Sequence, residues 1–147
     1  MRCKVPRLEW SRLDLPLSQG VKQRMSTILV VDDEPCFREV VGDILTADGH
    51  RILSAGSVEA AFTAIDGEMP AIVLTDQMMP DIDGLSFVHR LRSNPLWAGV
   101  RVIVVSAKAE PHDIERALHA GADDYLVKPF SAGELRALVR RPARTAA

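Results

Sequence analysis

Short runs of apolar, mostly β-branched residues punctuate the chain from residue 28 onward. The clearest runs cover residues 28–31, 72–74 and 102–105, and no polar residue interrupts them. Continuous runs of this kind are typical of strands buried on both faces, as in a parallel sheet covered by helices. Two weaker candidates, residues 52–53 and 125–127, are predicted to lie nearer the sheet edges.

Between these runs the apolar residues recur at the spacing of a helix. Pro35 suits a first helical turn, and the apolar residues after it follow the i, i+3, i+4 pattern of a buried face. The five predicted faces comprise, in order, Phe37, Val40, Val41, Ile44 and Leu45; Ala61, Ala64 and Ile65; Leu85, Val88 and Leu91; Ile114, Ala117 and Leu118; and Leu135, Leu138 and Val139.

Capping residues mark the ends of several of these helices. Ser57 is the predicted N-cap of the second helix, and Ser131 with Glu134 predicts a capping box on the fifth. Three glycines are predicted just past helix ends, where a left-handed residue is wanted: Gly49, Gly67 and Gly121.

The alternation of strands and helices predicts a doubly wound α/β domain with five parallel strands and five helices. We place this domain at residues 26–142, with Pro142 closing the last helix and residues 143–147 forming a short tail. Residues 1–25 show neither period, so we interpret them as a flexible extension or as residues upstream of a true start at Met25.

Charge and hydropathy narrow the choice of partners. The formal net charge of −2 gives no general attraction to nucleic acid. No stretch approaches the ~20 apolar residues of a membrane span, and the N-terminus lacks the apolar segment of a secretory signal. We therefore expect a cytoplasmic protein that binds neither membranes nor nucleic acid directly.

Polar residues stand where four of the five predicted strands end. Asp32 and Asp33 follow the first strand, Asp76 the third, Ser106 the fourth and Lys128 the fifth. Ligands bind outside the carboxyl ends of the strands in open parallel sheets. We therefore expect these five groups to face one crevice.

This set of groups has the chemistry of a Mg²⁺-dependent phosphoryl site. Three neighbouring carboxylates repel one another and favour the binding of a hard divalent cation. Water and phosphate oxygens would complete the coordination of that cation. Lys128 and Ser106 would grip the other phosphoryl oxygens. Asp76, at the end of a central strand, is the predicted nucleophile that forms an aspartyl-phosphate.

Each group also has a simpler interpretation when it is taken alone. Asp32 and Asp33 could cap the first helix, Asp76 could begin a turn, Lys128 could be a surface lysine and Ser106 a polar strand end. The coincidence of five suitable groups at the same end of four strands favours the functional interpretation. The remaining loop carboxylates are interpreted as turn and cap residues: Asp81, Asp83, Asp123 and Asp124.

Four blocks of the sequence resemble the receiver domain of two-component response regulators: ILVVDDEP, IVLTDQMMPDIDG, VIVVSA and GADDYLVKPF. They occur in that family's order and at its spacing, over residues 27–141. The resemblance implies a flavodoxin-like fold with strand order 2-1-3-4-5. It also implies a signalling switch rather than an enzyme, and one that stands alone, because no output domain follows.

The resemblance implies the following roles at the metal. Asp76 would accept a phosphoryl group from a sensor histidine kinase, a histidine phosphotransfer protein or a small acyl phosphate. Asp33, Asp76 and the backbone carbonyl of Met78 would bind Mg²⁺ directly, and Asp32 would act through water. The apolar Met78 is expected to give slower self-dephosphorylation than Asn or Glu at that position.

The resemblance also implies how the switch would be read. Lys128, placed by a cis bond to Pro129, and Ser106 would bind the phosphoryl group. Ser106 and Tyr125 would then move and remodel the face that a downstream protein target reads. On this interpretation the protein is a monomer or a weak dimer.

Two other functions fit part of the sequence. A Mg²⁺-dependent aspartyl phosphatase would resemble haloacid dehalogenase-like proteins, which usually carry a second Asp two residues after the nucleophile; Met78 stands there instead. A phosphorylation-independent interaction module of the same fold is the second alternative. It would not need the five site groups.

Overall fold

The computed structural model describes residues 25–79 and 83–141. Residues 1–24 of the predicted N-terminal extension, Pro142 and the tail lie outside these residues. The described residues form a parallel sheet of five strands: β1 (Thr27–Val31), β2 (Arg51–Ala55), β3 (Ile72–Asp76), β4 (Arg101–Ser106) and β5 (Asp124–Val127). The strand order is β2-β1-β3-β4-β5.

The order confirms the predicted doubly wound topology, and it places the two weaker strand candidates, β2 and β5, at the edges. The three apolar runs form the interior strands, where every residue of β3 and of β4 is buried. Because β3 lies between β1 and β4, the carboxyl ends of these strands meet at the centre of one sheet edge. A ligand site at that edge draws on all three.

Five helices cover the sheet: α1 (Pro35–Ala47), α2 (Val58–Gly67), α3 (Gly84–Ser93), α4 (Pro111–Ala120) and α5 (Ala132–Arg140). Alternate strand residues feed two apolar layers. Ile28, Val30 and Ile103 pack in one layer with residues of α1 and α5. Leu29, Val31 and Val104 pack in the other with residues of α2, α3 and α4.

The predicted caps are largely confirmed. The Ser57 side chain accepts from the backbone N–H of Ala60, and Ser131 with Glu134 forms the capping box. Gly49 and Gly121 take the left-handed conformation, with φ of 93° and 116°. The prediction for Gly67 is wrong: it is the last residue of α2, and the helix ends at Glu68 in an extended conformation instead. An extended residue ends the helix as effectively, so no left-handed residue is needed there.

Two arginines brace the end of the sheet opposite the predicted site. Arg92 donates to the carbonyl oxygens of Gly121, Ala98 and Val100 and pairs with Asp123 at 2.6 Å. Arg101 pairs with Asp124, also at 2.6 Å. Asp123 and Asp124 therefore anchor β5 rather than cap a helix. None of the helices in residues 25–79 and 83–141 is long and apolar enough to span a bilayer.

Candidate functional site

The acidic strand ends and Lys128 meet in one crevice at the carboxyl edge of the sheet. One carboxylate oxygen from each of Asp32, Asp33 and Asp76 lies within 4.8 Å of the other two. Lys128 reaches them from the loop after β5, with its Nζ 3.2 Å from Asp32 Oδ2 and 3.8 Å from Asp76 Oδ1. Ser106, fully buried, ends the adjacent strand β4.

Asp76 is the last residue of β3 and is only 8% exposed. Its Oδ1 accepts a 3.4 Å hydrogen bond from the backbone N–H of Met78. Burial raises the pKa of the Asp76 carboxyl to about 6; the carboxylates of Asp32 and Asp33 add to this rise, and Lys128 opposes it. The raised pKa means that the ionised form of Asp76 is disfavoured in this position, and a bound cation would stabilise it.

Asp32 is buried beneath the crevice. Its Oδ1 accepts from the backbone N–H of Glu34 at 2.9 Å, and Oδ2 faces Lys128. Burial raises the pKa of this carboxyl as well, although the Glu34 hydrogen bond and Lys128 oppose the rise. Glu34, not Asp32 or Asp33, is the N-cap of α1, so the simple capping interpretation of the two aspartates does not apply.

Lys128 is positioned by an aromatic ring as well as by carboxylates. Its Nζ lies 4.1 Å from the centroid of the Phe37 ring, an arrangement that attracts a cation. Phe37 in turn packs edge-on against Phe130. The Lys128–Pro129 peptide bond is cis. Phe37 appears in the sequence only as an apolar position of α1, so its contact with the ammonium group was not predicted.

Two residues whose roles were not predicted from the sequence, Gln77 and Gly84, fix the loop that follows Asp76. Gln77 donates its backbone N–H to Val105 O at 3.2 Å and accepts from Gly84 N at 2.9 Å. Gly84 begins α3 so close to the loop that a Cβ atom would meet Asp76 O and lie 2.8 Å from the Gln77 Cα. The Asp83-Gly84 pair at the start of α3 was the available signal in the sequence.

Met78, Met79 and Asp83 are the other described residues of this loop. Met78 is 59% exposed and forms an isolated antiparallel bridge with Asp83. The Asp83 side chain accepts from the backbone N–H of Leu85 and caps α3, as the sequence predicted. Pro80 and Asp81 lie outside the described residues.

Ser106 and Tyr125 are linked through the loop after β4. The Ser106 hydroxyl oxygen accepts from the backbone N–H of Lys108 at 3.1 Å. The Tyr125 hydroxyl donates to the carbonyl oxygen of the same Lys108 at 2.8 Å. The β4 loop therefore touches both residues that the resemblance implies as moving parts.

The donor set fits a hard divalent cation such as Mg²⁺. Three carboxylates offer oxygen ligands at mutually compatible distances, and burial disfavours the charge on two of them. A cation would offset that unfavourable charge. Lys128 pairs with Asp76 and Asp32. Asp33 is exposed, so its carboxylate is accessible to a metal.

The family model for the response regulator receiver domain matches residues 28–140. The chain belongs to this family. Receiver domains of two-component systems are phosphorylation-dependent switches, in which an aspartyl-phosphate and bound Mg²⁺ are general features. The resemblance in the sequence blocks and the observed strand order agree with this membership.

Similarity to known regulatory proteins supports the same family membership. The chain is 44% identical over 124 residues to the transcriptional regulatory protein TcrX of Mycobacterium tuberculosis, covering 81% of this chain and 52% of that protein. It is 40% identical over 116 residues to the KDP operon transcriptional regulatory protein KdpE of Escherichia coli, covering 79% and 50%. The chain thus spans about half the length of these curated relatives.

The fold matches solved structures. The chemotaxis protein CheY4 of Vibrio cholerae superposes with a TM-score of 0.76 over 80% of this chain and 98% of that one, at 24% identity. This likeness shows the shared fold, and the site chemistry rests on the residues of this chain.

Proposed function

We propose that this receiver domain accepts a phosphoryl group on Asp76 in the presence of Mg²⁺ and thereby changes the surface that a partner protein reads. The observation that carries the proposal is the position of Asp76: a buried carboxylate with a raised pKa, between two further carboxylates and 3.8 Å from Lys128. Phosphoryl transfer needs mainly positioning and charge neutralisation, and this arrangement supplies both.

The donor would be the phosphohistidine of a sensor histidine kinase or histidine phosphotransfer protein, or a small acyl phosphate. An Asp76 carboxylate oxygen attacks phosphorus while the bond from phosphorus to the donor nitrogen or oxygen breaks, and the donor leaves with the bonding electron pair. Asp33, Asp76 and the Met78 carbonyl would hold Mg²⁺, with Asp32 acting through water. Bound there, the ion would neutralise charge on the phosphoryl oxygens.

Lys128 and Ser106 would bind the oxygens of the phosphoryl group once it is attached to Asp76. Lys128 already lies between Asp32 and Asp76, so a phosphoryl group on Asp76 would offer it a stronger anionic partner. Ser106 would donate its hydroxyl to a phosphoryl oxygen and so pull on the Lys108 loop, which Tyr125 also contacts. This path leads from the acceptor to the surface of α4, β5 and α5.

The proposed activity is that of a cytoplasmic switch, not of an enzyme that turns over many substrates. Met78 occupies the position where an aspartyl phosphatase needs an acid, and a thioether carries no transferable proton. The partners would be the kinase or phosphotransfer protein and a downstream protein target. The domain would act as a monomer or weak dimer without contacting nucleic acid directly.

Intact-mass spectrometry tests the proposal. The protein is incubated with a small acyl phosphate and Mg²⁺, and the expected result is a mass increase of one phosphoryl group that chelation abolishes. Asp76→Asn should show no increase, whereas the exposed Asp66→Asn on α2 should behave as wild type. A pull-down with and without beryllium fluoride would then identify the partner. If the amount of partner bound changes neither with beryllium fluoride nor with Asp76→Asn, the result would favour the phosphorylation-independent interaction module.

A further inference from the structure

Gln77 is the residue directly after the proposed acceptor, and it is almost completely buried at 2% exposure. Its backbone N–H and carbonyl are held by β4 and by the first residue of α3 through Val105 and Gly84. The backbone of Gln77 is therefore tied to β4 and α3 directly after Asp76, the last residue of β3. Any shift of the Asp76 carboxylate that moves this loop moves Gln77 with it.

The side chain of Gln77 reaches across the sheet edge to Tyr125. The Tyr125 hydroxyl lies 3.1 Å from Gln77 Oε1 and 2.8 Å from the Lys108 carbonyl oxygen. One phenolic O–H is thus shared between two acceptors. The first acceptor belongs to the loop that follows Asp76, the last residue of β3, and the second belongs to the loop that follows Ser106, the last residue of β4. The hydroxyl joins the two loops that phosphorylation is proposed to act on.

We infer that Gln77 is a positioning residue that couples the Asp76 loop to Tyr125 through this hydrogen bond. The inference rests on the proposed function, since it adds a second route from the acceptor to Tyr125 beside the one through Ser106. A buried amide that loses its partner is costly, so the ring and the amide hold each other in place. Movement of the Asp76 loop then changes how firmly Tyr125 is docked.

The chain contains a single tyrosine, which allows a direct spectroscopic test. Protein labelled with 3-fluorotyrosine gives one fluorine environment to follow by NMR. The resonance is recorded for wild type, for Gln77→Met and for Met79→Leu, each without and with beryllium fluoride and Mg²⁺. Gln77→Met keeps the side-chain length but removes the acceptor. Met79→Leu alters a partly buried side chain in the same loop that packs against the core.

In the resting state, Gln77→Met should lower the ratio of docked to undocked Tyr125 by roughly two- to tenfold, the effect of one ordinary hydrogen bond. The resonance should move toward that of the urea-unfolded protein, while Met79→Leu should leave it in place. With beryllium fluoride, the change in the Gln77→Met resonance should be less than half that of wild type.

The inference is overturned if Gln77→Met leaves the resting resonance unchanged, or if wild type and Gln77→Met both respond to beryllium fluoride and the two changes are of equal size. A fold check by circular dichroism accompanies each variant, and a Gln77→Leu protein replaces Gln77→Met if the latter does not fold. Failure of the proposed function looks different. In that case no variant takes up a phosphoryl group or responds to beryllium fluoride, whereas the resting resonance still depends on Gln77.

Discussion

At the scale of single residues, the site is built around a carboxylate whose charge is disfavoured in the metal-free protein. Burial raises the pKa of Asp76 to about 6 from an ordinary value of 3.8. The folded state therefore holds this proton more tightly than the unfolded chain does. Its contribution to stability is present below pH 3.8 and is lost as pH rises through about 6. At neutral pH the ionised Asp76 costs stability until a cation is bound.

This argument predicts that Asp76→Asn stabilises the protein at about pH 7.5 in the presence of a chelator, by roughly 1–3 kcal/mol. The amide keeps the shape of the side chain but carries no charge. Urea unfolding is the measurement, and the gain should shrink when it is repeated at about pH 4, where the wild-type carboxyl is protonated in the folded state.

Asp66→Asn, at an exposed position of α2, is the matched control and should change stability by less than about 0.5 kcal/mol. If Asp76→Asn is no more stable than wild type at neutral pH, the conclusion that the ionised Asp76 destabilises the metal-free protein would be contradicted.

Met78 sets the second prediction at this scale. Met78 is exposed and lies two residues after Asp76, whose carboxylate accepts from its backbone N–H. A thioether is a poor hydrogen-bond partner for the water that must attack the phosphoryl group. Met78→Asn and Met78→Glu should therefore lose the phosphoryl group several-fold faster than wild type, because their polar ends can orient that water. Decay is followed by intact mass after removal of the donor.

Met79→Leu is the control, since it changes the neighbouring side chain without adding a polar group. Equal or faster decay of wild type relative to the two polar variants would refute this role for Met78.

At the scale of elements, the site depends on how closely α3 approaches the end of β3. Asp83 caps the helix through the N–H of Leu85, and Gly84 then lies against the backbone of Asp76 and Gln77. The helix start and the acceptor loop are thus one packed unit. Changing the spacing between them alters the acceptor without touching its chemistry.

Gly84→Ala should therefore destabilise the protein by about 1–3 kcal/mol, because the added Cβ overlaps backbone that cannot move aside. It should also slow phosphoryl uptake, because the Asp76 loop must shift to make room. Gly99→Ala is the control: a Cβ there meets no atom within 4 Å. Urea unfolding and uptake rates are compared for both variants, and two equally stable proteins would show that the close approach does not matter.

At the scale of the whole molecule, the apolar period and the polar strand ends were enough to predict the architecture and the meeting of the three carboxylates with Lys128. Buried strands such as β4 have no solvent-facing residue to interrupt the apolar pattern, and parallel strands bring their carboxyl ends to the same edge of the sheet by geometry alone. The side-chain contacts of Phe37 and Gln77 could not be predicted from the sequence, because each joins two elements that are distant in sequence. The ending of α2 at Glu68 rather than at a left-handed Gly67 shows the same limit locally.

The most direct test of the central claim identifies the residue that is modified. The protein is treated with a small acyl phosphate and Mg²⁺, reduced with borohydride, digested and sequenced by mass spectrometry. Borohydride converts an aspartyl-phosphate to homoserine. The account predicts homoserine at position 76 alone, dependent on Mg²⁺. Homoserine at another aspartate, or none in a folded protein with Mg²⁺ bound, would contradict it.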